Sequence, residues 1–369
     1  MINEQRLVDY LLDIIRINSE SGDELAMSQR LEADLKAIPG VTVRTETVAD
    51  YDTNGYNIIA EFPGTVPGDT ILLSSHQDTV KPGLDIRPVI EGRTIKSGGD
   101  TILAADDKAG IAEIMEVLRV LAEDRIPHRS LEIVFSAGEE VGLCGAKSLD
   151  TSRLKAKVGF VLDIAGNAGR VIHTQPGSYH IAADIYGRKA HAGNCPEKGI
   201  SAIMAAAEAS TNMHLLRIDE ETTANIGTFK AEYASNIVAE HVHLLGEIRS
   251  RSAEKLEAEV QHMEKCLQDA CDKVGARLEF SKKLMFGGYK LPADCTAVEM
   301  YRKAAAKHGV ELTCEGAGGC SDSNVYNARG IQCIVVATGD ADNHTAHETC
   351  NIDTMNKCAA ILLDLVTAE

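Results

Sequence analysis

The sequence has no basic stretch to set against its acids. Among 369 residues, 55 Asp and Glu face 37 Lys and Arg, a formal charge of −18. That balance argues against nucleic acid or an acidic membrane surface as a partner. No apolar span reaches the roughly 18 residues that a membrane-crossing helix needs. No signal peptide is expected either, because residues 1–6 lead straight into an amphipathic pattern. The ten cysteines include no CxxC pair. In a chain of this length that fits reduced thiols in a cytoplasmic protein better than a disulfide framework or a Cys-ligated zinc site. Repeats and low-complexity segments are missing. So is a G-x-x-x-x-G-K-[ST] loop, which removes a nucleotide site, and no G-x-S-x-G elbow surrounds Ser321 or Cys320 to make a nucleophile.

What is present is 44% hydrophobic and long enough for two domains. Helical spacing runs over 3–16 and 23–37, strand-like runs over 41–45 and 58–62, and then a strand at 70–75, a helix at 108–123 and strands at 131–136 and 158–163. This alternation predicts an α/β fold with a mainly parallel sheet and helices on both faces. Near Gln175 the pattern changes. Strands at 178–187, 222–231, 236–248 and 277–285, with helices at 199–216 and 253–274, follow the β-α-β-β-α-β order of a ferredoxin-like α+β unit. After Gly287-Gly288 the first pattern resumes, with a helix near 293–308, a Gly-rich loop at 316–319, a strand at 331–337 and a helix at 353–367. The reading is therefore one domain from 1–175 and 287–369, interrupted by another at 176–286.

Chemistry collects around one stretch. The buried-strand run Ile71-Leu72-Leu73 is followed at once by Ser74-Ser75-His76-Gln77-Asp78, and Asp106 opens the helix at 108–123. Ile133-Val134-Phe135 leads to Glu139-Glu140, and Phe160-Val161-Leu162 leads to Asp163. Ligands of α/β sheets sit beyond the strand C-termini. The strands would thus deliver His76 and the carboxylates of Asp78, Asp106, Glu139, Glu140 and Asp163 to one edge. Unpaired acids there repel one another, which calls for a divalent metal. Imidazole and carboxylate suit zinc, and also cobalt or manganese. The run 342–348, beyond the strand at 331–337, offers His344 and His347 to the same edge.

Taken together, His76-x-Asp78, Asp106-Asp107-Lys108-x-Gly110, Glu139-Glu140, Asp163, His191-Ala192-Gly193, Gly318-Gly319-Cys320-Ser321-Asp322 and His344-x-x-x-Glu348 form a set that spans essentially the whole chain. The set resembles the M20 family of di-zinc peptidases, and is most similar to its peptidase T-like, tripeptide aminopeptidase-like branch. The resemblance implies a pair of zinc ions per subunit, with cobalt or manganese as substitutes. Asp106 would bridge them, His76 and Asp163 would complete one site, and Glu140 and His344 the other. His344 is preferred over its rival His347 because family spacing puts the ligand four residues before a Glu. Asp78 would orient the His76 ring, Glu139 would be the general base, and the Asp106–Asp107 peptide bond would be cis. The inserted unit resembles a lid that also forms a homodimer, with His191 reaching the partner's site to polarise the scissile carbonyl. Asn225, Asn236 and Arg249 fall at positions resembling substrate contacts, and an Arg can fork onto a substrate carboxylate. Backbone N–H groups of the Gly-rich loop, around Gly319 and Ser321, could hold an anionic terminus.

The implied activity is hydrolysis of a peptide bond in short peptides by a metal-bridging water that Glu139 activates. N-acyl-amino-acid deacylases and carboxypeptidases of the family share the metal residues and stay open. A non-catalytic metal- or peptide-binding dimer is more distant, since an intact Glu139 stands beside intact ligands. His128, His173, His180, His214, His241, His243, His262 and His308 lack a comparable setting and read as structural.

Overall fold

The strand Ile71–His76 is buried along its whole length in the main sheet of the structure, a computed structural model that describes residues 1–49 and 51–367. Strands covered on both faces read as continuous apolar runs, which is why this one, Leu131–Ser136, Val158–Ile164 and Gln332–Ala337 are legible in sequence. Ile71–His76 lies parallel between Leu131–Ser136 and Val158–Ile164, and Gln332–Ala337 runs parallel beside the latter. The C-terminal ends of these strands therefore share one edge. Antiparallel strands flank this core: Tyr56–Phe62 pairs with Leu131–Ser136, Thr42–Thr47 lies outside it, and Arg170–Gln175 closes on Gln332–Ala337, with Thr313–Gly316 parallel to Arg170–Gln175.

The helix Ala105–Glu123 is buried over almost its full circumference, and the charged residues Asp107, Lys108, Glu113 and Glu116 are buried with it. Gly110 is required here. A Cβ would run into the Leu162 carbonyl oxygen and push the helix off the strand that carries Asp163. The buried Lys108 donates from Nζ to the Ile17 carbonyl at 2.8 Å, and burial brings its pKa down to about 7.

A small antiparallel sheet was not expected. It orders Asp340–Ala341, Thr349–Asn351, Thr94–Ser97 and Pro88–Glu91. Strands of two to four residues are too short to show alternation. This sheet closes a hairpin whose loop, 342–348, carries His344.

The chain divides into two compact units, one of Met1–Thr174, Leu291–Gly316 and Ser321–Glu369, the other of Gln175–Lys290 with Ala317–Cys320. The second unit thus runs past the expected 176–286 and takes in most of the Gly-rich loop. Its antiparallel sheet has the order Leu216–Arg217, Thr222–Lys230, His241–Ser250, Gly177–Tyr186, Arg277–Phe286. The helices Ala202–Asn212 and Ala253–Val274 share one core with it, through Ile181, Ala206, Leu244, Val260 and Leu267. Apart from the short first strand, this is the arrangement of a split βαβ unit. Two elements differ from their expected bounds. The helix expected at 199–216 is Ala202–Asn212, and Leu216–Arg217 is a short strand. The strand expected at 236–248 is His241–Ser250, and Asn236 sits in a turn. The backbone before the strand bonds to 190–192 instead of to the sheet: Val238 N–H donates to Ala190 O, and Asn236 O accepts from Ala192 N–H.

Candidate metal centre

His76 ends its strand only 2% exposed, with its two ring nitrogens facing opposite ways. Nδ1 stands 3.0 Å from the Asp78 carbonyl oxygen and 3.4 Å from Asp78 Oδ1. Nε2 stands 3.1 Å from Asp106 Oδ1 and 3.9 Å from Asp163 Oδ1. Asp78 is itself held on every side, accepting from Ser21 Oγ at 2.7 Å and from the backbone N–H groups of Glu139 and Glu140 at 2.9 and 3.2 Å. Such partners fix the ring's orientation and raise its basicity.

Asp106 is the hinge of the arrangement. Its Oδ1 faces His76, while its Oδ2 lies 3.2 Å from His344 Nε2 and accepts from Asn343 Nδ2 at 2.9 Å. His344 Nε2 also contacts Glu140 Oε1 at 2.8 Å. The residue has φ +63°, in the left-handed region, at the tip of the hairpin described above. His347 is exposed, as His344 is, but its backbone N–H donates to Thr345 Oγ1 at 3.1 Å, whereas the His344 ring meets Asp106 and Glu140. The Asp106–Asp107 peptide bond is cis. Glu139 is 8% exposed and follows the strand Leu131–Ser136 through a turn at Gly138, whose φ is +65°.

The charges show what these groups need. Burial pushes Glu139, Asp163 and Asp107 well above the ordinary carboxyl range, with neighbouring acids adding to the shift. Burial also works against a charged Asp106, but hydrogen bonds from His344 and His76 prevail and hold its pKa low. His344 is raised to about 10 by hydrogen bonds to Asp106 and Glu140. Burial disfavours the His76 imidazolium, yet Asp106 and Asp78 raise its pKa well above the ordinary value. Protons on two imidazoles are thus the cations this acid cluster has, and metal binding releases such protons.

The residues fit divalent metal. Ligand atoms of His76, Asp106 and Glu140 lie within 4.8 Å of one another, and so do those of His76, Asp107 and Asp163. Asp107 Oδ1 is buried with no hydrogen-bond partner. Imidazole nitrogens and carboxylate oxygens are ligands for zinc, cobalt or manganese.

Other expected site residues belong elsewhere. His191, Asn225, Asn236, Arg249 and Gly319 are in the second unit. Asn225 is exposed beside a bulge at Ile226/Thr228, and Gly319 is exposed in its loop. Arg249 forks onto Glu247, with Nε and Nη2 both at 2.8 Å. Ser321 is buried in the first unit, its hydroxyl 2.7 Å from Ser323 Oγ at the start of the helix Ser323–Ala328.

Sequence reasoning named Glu348 only as a spacing mark. The structure gives it a task. Its carboxylate, 1% exposed, accepts from the backbone N–H groups of Leu103 and Ala104 at 2.8 and 2.9 Å, and of Asp106 at 3.0 Å. It clamps the segment that presents Asp106. A Glu in a polar run carries no mark of such long-range pairing, so nothing local could have shown it. Glu348→Gln puts an NH₂ against backbone donors and should weaken metal binding about 10- to 100-fold, as loss of a partner behind a ligand does. Metal titration of the variant checks this, and unchanged affinity would mean the clamp is dispensable.

Residues 72–368 match the family described as Peptidase family M20/M25/M40. The chain is 41% identical to an uncharacterized protein, YqjE, of Bacillus subtilis (strain 168), over 99% of each chain. It is similar to the crystal structure of aminopeptidase PepT from Bacillus cereus ATCC 10987, with TM-score 0.93, 38% identity, and 99% of this chain and 98% of that one covered. It is also similar to that of a tripeptidase from Staphylococcus aureus subsp. aureus Mu50, with TM-score 0.96, 34% identity, and coverage of 100% and 98%.

Proposed function

Because the chain belongs to peptidase family M20/M25/M40, we propose that it is a zinc-dependent aminopeptidase of short peptides, tripeptides first, acting as a cytoplasmic homodimer. The observation that carries this reading is Asp106, whose two carboxylate oxygens face two different imidazoles, with Asp163 beside one and Glu140 beside the other. His76, Asp106 and Asp163 would hold one ion, and Asp106, Glu140 and His344 the second, with cobalt or manganese as substitutes. When bound, a close pair of such ions supplies Lewis acidity, making water acidic near neutral pH and offsetting negative charge on a reacting carbonyl oxygen.

The remaining work falls to side chains. Glu139 takes the proton of the attacking water and returns it to the leaving amine. Burial, with help from Glu140, Asp322 and Asp78 and against the pull of His76, raises its pKa toward the range where a carboxylate can both accept and give a proton. Asp78 keeps the His76 ring aimed. In the exposed turn after Ala190, His191 Nδ1 accepts from Gly193 N–H at 3.1 Å and Asn194 N–H at 3.2 Å. That pairing leaves the ring proton on Nε2, a donor suited to polarising a scissile carbonyl in the partner subunit. A substrate carboxylate could replace Glu247 on the Arg249 fork, and Asn225, Asn236 and the loop of Gly319 and Ser321 are the other proposed substrate contacts.

Kinship to an aminopeptidase and a tripeptidase supports peptide substrates over N-acyl amino acids. Turnover of tripeptides, dipeptides, N-acetyl amino acids and C-terminal glutamates, each with zinc, cobalt and manganese, tests the choice. Tripeptides should lead by kcat/KM, whereas a preference for N-acetyl amino acids would make the enzyme a deacylase and one for C-terminal glutamates a carboxypeptidase. Elemental analysis should find a pair of ions per chain that disappears in Asp106→Ala. A fully active preparation holding a single Asp106-dependent ion would refute the bridge.

A further inference from the structure

We propose that the second unit carries a zinc-type cation site of its own, built by His214, Glu259 and His262 with Cys266 at its open position, and independent of the peptidase reading. Glu259, His262 and Cys266 follow one another at helical spacing on one face of Ala253–Val274, and His214 follows the helix Ala202–Asn212 packed against it. Ligand atoms of His214, Glu259 and His262 lie within 4.8 Å of one another. His214 Nδ1 is 3.2 Å from Glu259 Oε2, and Cys266 Sγ is 3.6 Å from His262 Nε2.

Burial makes this more than surface decoration. Glu259 is 8% exposed, and its Oε1 is buried with no hydrogen-bond partner. Its helix neighbours Val260 and Met263 belong to the apolar core of the unit. A carboxylate taken out of water with one oxygen unpaired is costly, because desolvation is not repaid. Of its two oxygens only Oε2 is met, and by an imidazole that in its neutral form has a single proton to give. A divalent ion would answer that deficit.

The donor set selects the ion. Two imidazoles and one carboxylate make a three-ligand zinc set, whereas magnesium and calcium take oxygen cages. Tetrahedral zinc, with bonds of about 2.0–2.1 Å to N and O and about 2.3 Å to S, separates N from O by about 3.4 Å and N from S by about 3.6 Å. The observed His214–Glu259 and Cys266–His262 distances are 3.2 and 3.6 Å. One movement is required. The two imidazole rings stack at 4.0 Å with planes 16° apart, so their nitrogens do not yet converge. The His214 side chain is 59% exposed and can swing edge-on without disturbing the core. The other paired histidines of this unit, His241 and His243, share Asp184 Oδ1 and leave no buried atom unpaired among the described residues, so they carry no comparable demand.

Filled, the site would tie the loop after one helix to the face of the other and stiffen the unit without touching the peptidase residues. The test uses the full chain, stripped with a chelator and dialysed at fixed free zinc, as wild type, His214→Ala and Glu259→Gln. Wild type should hold one more zinc per chain than either variant, gain more in Tm from zinc, and hydrolyse peptide at the same rate as His214→Ala. His214→Ala removes an exposed ring and folds normally, and Glu259→Gln keeps the shape of the buried side chain. Equal zinc content in wild type and His214→Ala overturns the proposal, as does retention of the extra ion by Glu259→Gln. A loss of two ions with loss of activity also overturns it, by placing the effect on the Asp106 cluster.

Discussion

Replacing Glu139 by Gln is expected to lower peptide hydrolysis by at least about 10²-fold and up to about 10⁴-fold, the span of general acid–base catalysis, while metal content stays unchanged. Gln keeps the size of the side chain and loses the ability to take a proton. Its backbone N–H, which donates to Asp78 Oδ1 at 2.9 Å, is untouched by the change. The proposed ligand role belongs to the neighbour Glu140, whose Oε1 contacts His344. Activity and metal content therefore separate the two glutamates. Loss of metal together with activity would mean that Glu139 is the ligand and Glu140 the base.

Mixing two inactive variants should restore activity, if the proposed dimer carries His191 into the neighbouring site. His191→Ala removes the Nε2 donor, and loss of one donor to a developing oxyanion costs about 10²- to 10³-fold. Glu139→Gln removes the base. In a heterodimer, one site has both its own Glu139 and a His191 given by the other chain, while the second site lacks both. Random exchange makes half of the dimers mixed, each with one working site, so recovery should approach about one quarter of wild type. The estimate follows from a twofold, self-complementary interface. No recovery after subunit exchange has been demonstrated would mean that His191 acts within its own chain or only shapes its turn through Gly193 and Asn194.

Much of this protein was determined by sequence alone. The strands Ile71–His76, Leu131–Ser136, Val158–Ile164 and Gln332–Ala337 are apolar runs because both of their faces are covered, so the parallel heart of the sheet was legible. Since the ends of parallel strands share an edge, His76, Glu139, Glu140 and Asp163 could be placed near one another from the pattern alone. The split βαβ order of the second unit was legible for a different reason, its amphipathic helices and strands being long enough to show their periods.

Tertiary structure decided the rest, because it depends on pairing between residues far apart in the chain. Short strands with no readable alternation bring the His344 hairpin beside Thr94–Ser97, and only then does His344 meet Asp106 and Glu140. Glu348 is a polar residue in a polar run until its carboxylate gathers three backbone N–H groups from Leu103, Ala104 and Asp106. Asn236 reads as strand, yet its backbone bonds to the turn after Ala190. His214 and His262 read as structural histidines because they lie far apart in sequence. The packing of Ala202–Asn212 on Ala253–Val274 sets them 4.0 Å apart over a buried, half-paired Glu259. Periodicity reports which face of an element is buried; which polar atoms meet behind that face is set by long-range contacts that no local pattern encodes.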